Sequence, residues 1–404
     1  MSTKSRQCST ALDIWEWDTA QGLQGRLHPV TLHELLAVNT NEKNPLVSPK
    51  AKFCIIFTSA NEIRECEPCR QYFIDEFQMP KYWWSDSSRK SNGYFGCRVT
   101  THHISTWAYF EIKKLEEGEK YLWYKLNVFI NWNRSTHQTA ILSFDTHPAV
   151  ASEFKKSLAT PDAHSLEYPF WFYPHLLSEV ARLQESAVWA IRDRVRAVEK
   201  QPTSRSRPEP NYRHLHDMAR HDIHVSETLD VATQTMQRML ARHKGLMDFI
   251  LGNGDGPQEI HSQLQFYESF ISSLRCRSAS NEKRMLNEIQ LAFNTVAQHD
   301  ANTSVKIGLA TQSDSVTMKS IAFVTLTFLP PTFVSAIFSM SFFNYSADSG
   351  WSMSEKFWLY WVFAVPITLL TVVAWYFLWQ SSGPPLSKDE PERPTGSLYS
   401  VIIR

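Results

Sequence analysis

The spacing of apolar positions along this chain changes twice, and each change predicts a different kind of structure. From Phe53 to Phe144 the pattern is strand-like, with short β-branched and aromatic runs: Phe53 to Phe57, Tyr94 to Thr100, Thr106 to Ile112, Leu122 to Trp132 and Thr139 to Phe144. These predict strands of a mostly antiparallel sheet, with 113–120 as a hairpin turn. Short helices are expected at 31–38, where Thr31 offers a cap, and around 61–77. After Pro174 the period becomes about 3.6 and helix dominates. One helix is expected over about 175–200, then a proline-rich linker at 201–210 and a second helix over about 212–251. The glycine-rich run Gly252 to Pro257 breaks it, and a third helix continues from about Ile260. The second change comes at Ile321, where charge disappears.

Two segments, Ile321 to Met340 and Phe357 to Trp379, contain no charged residue. At about 1.5 Å per residue each reaches roughly 30 Å, the thickness of a bilayer's hydrocarbon core. They predict a transmembrane hairpin, spans at 321–340 and 357–379, joined by a small exposed loop at 341–356. The predicted organisation is therefore an α+β domain at 1–170, a helical region at 171–320, the hairpin at 321–379 and a disordered tail at 380–404.

Composition then limits the function classes. Lysine plus arginine and aspartate plus glutamate both number 41 in the 404 residues, so nothing points to nucleic acid. Met1 to Thr10 is polar and lacks a signal-peptide apolar core, so the large N-terminal part is expected to stay cytosolic. Lys306 and Lys319 precede the first span and Lys388 and Arg393 follow the second, whereas the loop has Lys356 against Asp348 and Glu355. That asymmetry favours both termini in the cytosol. The sequon at Asn344 lies too near the predicted span to be read as a glycosylation site. The six cysteines have no framework spacing, and no structural disulfide is expected.

Candidate chemistry concentrates on the first span. Projected at about 100° per residue, Thr325, Thr332 and Ser339 share one line. The line runs back through Ile321, Met318, Asp314, Ile307, Thr303 and Asp300. One face of one helix thus carries hydroxyls in the span and carboxylates before it. Repeated around an axis, it would form rings of oxygen ligands suited to hard, hydrated cations. The alternative is that the hydroxyls bond back to their own helix and assist packing, and that the carboxylates are a solvated face. Pro330-Pro331 removes backbone donors inside the span and implies neighbouring helices around it.

Other motifs carry less. Gly252 to Pro257 lacks the Lys-Ser/Thr of a P-loop and follows a helix, so it reads as a connector. Cys66-Glu-Pro-Cys69 has the spacing of half a zinc site, with His102-His103 as a conceivable complement. His214, His216, His221 and His224 with Asp217 and Asp222 include an i, i+4, i+7 face, read either as a regulatory divalent-ion site or as surface polarity. No local signature supports a catalytic triad, and no enzyme activity is expected.

The run Met318-Lys-Ser-Ile-Ala-Phe-Val-Thr-Leu-Thr-Phe-Leu-Pro330, with Thr332-Phe333 and Ile337 to Phe343, resembles the pore helix of CorA-type metal-ion transporters, especially the divergent fungal CorA-like proteins. Leu215 to His224 and Asn287 to Asn294 echo that family's helical region. The resemblance implies a homopentamer with a cytosolic α/β domain, a stalk helix continuous with the inner pore helix, and passive flux of Mg²⁺ or a related divalent ion. It also implies pore-facing Met318, Ile321, Leu329 and Thr332. The family ends this helix with Gly-Met-Asn, whereas here the matching residues are Ser339, Met340 and Ser341. A non-conducting membrane-tethered sensor and a zinc transporter are the competing readings.

Overall fold

The computed structural model describes residues 11–18, 20, 22–25, 30–31, 50–116, 120–162, 165–201, 209–248, 254–339, 343–348 and 350–381. The chain divides into two compact units, Met1–Val296 and Ala297–Arg404.

In the first unit the sheet comprises β1 Ala11–Asp18, β2 Gly22–Gly25, β3 Val30–Thr31, β4 Phe53–Thr58, β5 Gly93–Val99, β6 His103–Leu115, β7 Tyr121–Asn133 and β8 Thr139–Phe144. Its order is β2-β1-β4-β8-β7-β6-β5, with β3 also on β1. All described pairings are antiparallel except β4 with β8. The period-2 rule sorts each central strand between two cores. Phe53, Ile55, Phe110, Ile112, Val128 and Ile130 enter one, while Cys54, Ile56, Trp107, Phe129 and Leu142 enter the other. Burial on both faces explains the continuous apolar run Phe53 to Phe57.

The second core is closed by α1 Ala60–Glu65, α2 Glu67–Phe77 and a 3₁₀ turn Lys81–Trp84. The segment around 61–77 is thus two helices, divided at Cys66, with Pro68 tolerated in the first turn of α2. The first core is covered by α4 Pro148–Ser157, α5 Tyr173–Glu199, α6 Tyr212–Leu246 and the early turns of α7 Asp255–Phe338; α3, Asp86–Arg89, is a single turn. Leu176, Val180, Val188, Val225, Leu229, Met236 and Ile271 from three helices meet the sheet residues in one apolar cluster. Gly96 lies opposite Trp107 in the β5–β6 register, and a Cβ at Gly96 would sit 2.2 Å from that indole.

Two details differ from the sequence expectation. The turn at 113–120 is shorter, because Lys113 pairs with Trp123, Lys114 with Leu122 and Leu115 with Tyr121. Lys113 is therefore a buried strand residue. Of the helix expected at 31–38, Thr31 belongs to β3 and the remainder lies outside the described residues. The linker at 202–208, Gly252-Asn253 and the tail from 382 also lie outside them.

The second unit holds the later turns of α7, a hairpin of β9 Phe343–Ser346 and β10 Gly350–Met353, and α8 Trp358–Ser381. The segment expected to be a plain loop forms an antiparallel ribbon. Gly350, at φ +68°, pairs with Ser346, and the Tyr345 and Trp351 rings lie 5.5 Å apart across the strands. Stretches of α7 and α8 are long and apolar enough to cross a membrane.

Candidate functional site

Every described residue of the proposed pore face lies on α7 or at its end. Met318, Ile321, Thr325, Leu329, Thr332 and Ser339 are all exposed, as are Asp300 and Asp314. Asp300 and Asp314 stand about 21 Å apart along the axis. Met340 and Ser341 lie outside the described residues.

The opposite face of the span is the covered one. Leu326, Thr327, Pro330, Pro331 and Val334 are wholly or partly buried, and Val334 is 5% exposed. The Phe323 ring meets Trp375 of α8 at 5.0 Å, and Ala364 of α8 is buried. Thr325 and Val334 are nine residues apart, which at about 100° per residue is half a turn. The hydroxyl line thus points away from the face that is covered in the single chain.

The threonine hydroxyls bond along their own helix. Thr325 Oγ1 donates to the Ile321 carbonyl at 2.9 Å, and Thr332 Oγ1 to those of Phe328 and Leu329 at 2.8 and 2.9 Å. Thr327, on the covered side, donates to Phe323 at 2.8 Å. Each hydroxyl proton is thereby committed, and each oxygen retains acceptor capacity. An oxygen so oriented accepts from bound water or contacts a cation; it has no proton left for an anion.

The remaining sequence candidates separate. Cys66 caps α2 and Cys69 is buried within it. Among the described residues no group of three or more histidine, cysteine, aspartate or glutamate side chains is arranged to hold a metal ion. Asp217, His221 and His224 share a face of α6, as the spacing indicates, but Asp217 is ion-paired with Arg220. Lys113 and Arg194 line the same cavity. Those two residues were not legible as neighbours of the histidines: one comes from β6 and the other from α5.

No family model matches the chain. A curated relative, Notoamide biosynthesis cluster protein M' of Aspergillus versicolor, is 32% identical over 295 residues, covering 67% of this chain and 63% of that protein. The match therefore spans less than two thirds of the relative's length. Among solved structures, the full-length CmaX protein aligns at a TM-score of 0.42 with 14% identity, covering 93% of this chain and 99% of that one. The ZntB cytoplasmic domain from Vibrio parahaemolyticus aligns at 0.42 with 8% identity, covering 72% and 99%.

Proposed function

We propose that α7 and α8 form a transmembrane hairpin with both termini cytosolic, and that several copies of the chain assemble around α7 to pass a divalent cation, Mg²⁺ foremost, down its electrochemical gradient. The observation that carries this reading is the exposed hydroxyl line Thr325, Thr332 and Ser339 on the face opposite the covered one. Threonines bonded back to their own helix are tolerated in lipid, but a line of three hydroxyl residues on one exposed face suits helices gathered with that stripe inward, which gives a water-accessible lining. Five copies follow from the resemblance of Met318 to Phe343 to CorA-type pore helices.

In this arrangement Asp300 and Asp314 raise the local cation concentration at the cytosolic approach and offer sites for a regulatory Mg²⁺. The hydroxyl oxygens contact the hydrated ion, and the Met318, Ile321 and Leu329 rings form apolar constrictions that gate by dewetting. No covalent step and no nucleotide is required. The second reading, a tethered protein that does not conduct, is favoured by one feature: Ser341 replaces the family's mouth asparagine with a shorter group lacking an amide.

Cysteine accessibility tests the lining. On a background without the six native cysteines, single cysteines at 325, 332 and 339 are expected to react with a small, charged, water-soluble thiol reagent in reconstituted protein. Those at 327 and 334 are expected to stay protected. Equal protection at all five positions contradicts a water-filled lining.

A further inference from the structure

Lys113 is an unusual charge to bury. It is 4% exposed within β6, and among the described residues no carboxylate forms an ion pair with it. Its ammonium lies 4.2 Å from the Tyr121 ring centroid and 5.3 Å from that of Trp123. Aromatic faces offset part of the desolvation cost, but they leave the positive charge uncompensated. Burial and the nearby Arg220 accordingly hold its pKa below the usual lysine value.

Beside it is a cavity of about 310 Å³. Arg194 from α5 and Arg220 from α6 line it, with Asp217 as the only carboxylate among the described lining residues. Asp217 is engaged by Arg220, while Arg194 donates to the Glu116 carbonyl at 3.0 Å with other guanidinium donors remaining. Among the described lining residues three fixed cations thus face one anion, an excess of two positive charges. Histidines 214, 221 and 224 complete the titratable lining. The His221 ring lies 5.1 Å from that of Tyr121 at a tilt of 56°, and its buried Nδ1 has no hydrogen-bond partner among the described residues. Burial, then Lys113, then Arg194 push the His221 pKa down. Glu227, outside the lining, is taken up by Asn92 at 2.6 Å and approaches His224 at 3.7 Å.

This charge balance opposes the divalent-cation reading of the histidine face. We propose that the cavity is a binding site for a phosphate-bearing anion, held by Lys113, Arg194 and Arg220, with His221 as a further hydrogen-bonding group. A phosphate monoester near neutral pH carries about −1.5 to −2 charges, which matches the excess. Arginine forks and a lysine point charge both suit its oxygens. The volume exceeds what a monatomic ion needs and lies near the lower end for small-molecule pockets, roughly 300 Å³. The group belongs either to a soluble phosphorylated metabolite or to a lipid headgroup.

Calorimetric titration of the full chain in detergent, with glycerol 3-phosphate and, separately, water-soluble dihexanoyl phosphatidic acid, tests the site; dihexanoyl phosphatidylcholine is the control. Saturable binding of either phosphate probe, with an affinity loss of about tenfold or more in Lys113→Met and Arg194→Gln, is expected. Lys113→Arg should retain most of the affinity, and circular dichroism checks that each variant folds. The probe that binds more tightly identifies the source. Binding unaffected by both neutral variants, or no binding of either phosphate probe, overturns the proposal. So does Mg²⁺ binding at this site, lost in Asp217→Asn and indifferent to Lys113→Met.

Discussion

Asp222 shows what burial does to a single carboxyl in this fold. It is 1% exposed, neither oxygen has a hydrogen-bond partner among the described residues, and burial followed by Glu282 pushes its pKa up to about 7. The folded state therefore binds this proton more tightly than the unfolded state. Its contribution to stability is full below the ordinary value of 3.8 and is lost as pH rises through about 7. His243 has the opposite sign: burial and His261 lower its pKa to about 4, so its contribution is lost as pH falls from 6.5 toward 4. Asp222→Asn is expected to be more stable than the native chain at pH 8, on the order of 2–4 kcal/mol, with a much smaller difference at pH 5. Unfolding midpoints at the two pH values measure this; a pH-independent difference refutes the assignment. Asp222 and Lys113 were both visible in the sequence as charges, one on a helix face and one in an expected turn. Only three-dimensional packing shows that both are desolvated, because burial comes from elements distant in the chain.

At the scale of elements, the clearest features were those with the strongest pattern. The expected strand Thr139 to Phe144 coincides with β8, and the charge-free runs overlap the end of α7, through Phe338, and α8, from Trp358. The strand Ala11–Asp18 went unread because Asp13, Glu16 and Asp18 dilute its apolar alternation, although Leu12 and Ile14 are fully buried. The β9–β10 ribbon was hidden because its strands are only four residues long and are set by cross-strand pairing and by Gly350. Within α7 the phase of Thr325, Thr332 and Ser339 was legible from spacing, but the identity of the covered face was not. If the line from Asp300 to Ser339 faces an ion path, Asp300→Asn with Asp314→Asn should lower flux several-fold at low cation concentration and little at saturation. Flux measured against concentration distinguishes this from a solvated face, for which the two curves coincide.

For the whole molecule, one sheet-based unit with helices on both faces shares the helix α7 with a second unit that contains the two charge-free stretches. The exposed Phe328, Phe333, Leu370 and Phe377 require a lipid or protein environment. The proposed assembly around α7 takes its support from the exposed hydroxyl line of the single chain; the number of copies is not legible there, because a face covered by a symmetry mate and a face turned to water carry the same kinds of residue. Conduction is tested most directly by divalent-ion flux into proteoliposomes of the purified chain. Mg²⁺, Zn²⁺, Co²⁺ and Ni²⁺ are compared, with Ser341→Asn alongside. Saturable, Mg²⁺-preferring flux in the native chain is the predicted result. No flux of any ion in the native chain, with flux appearing in Ser341→Asn, contradicts it and assigns the protein as a tethered scaffold that does not transport.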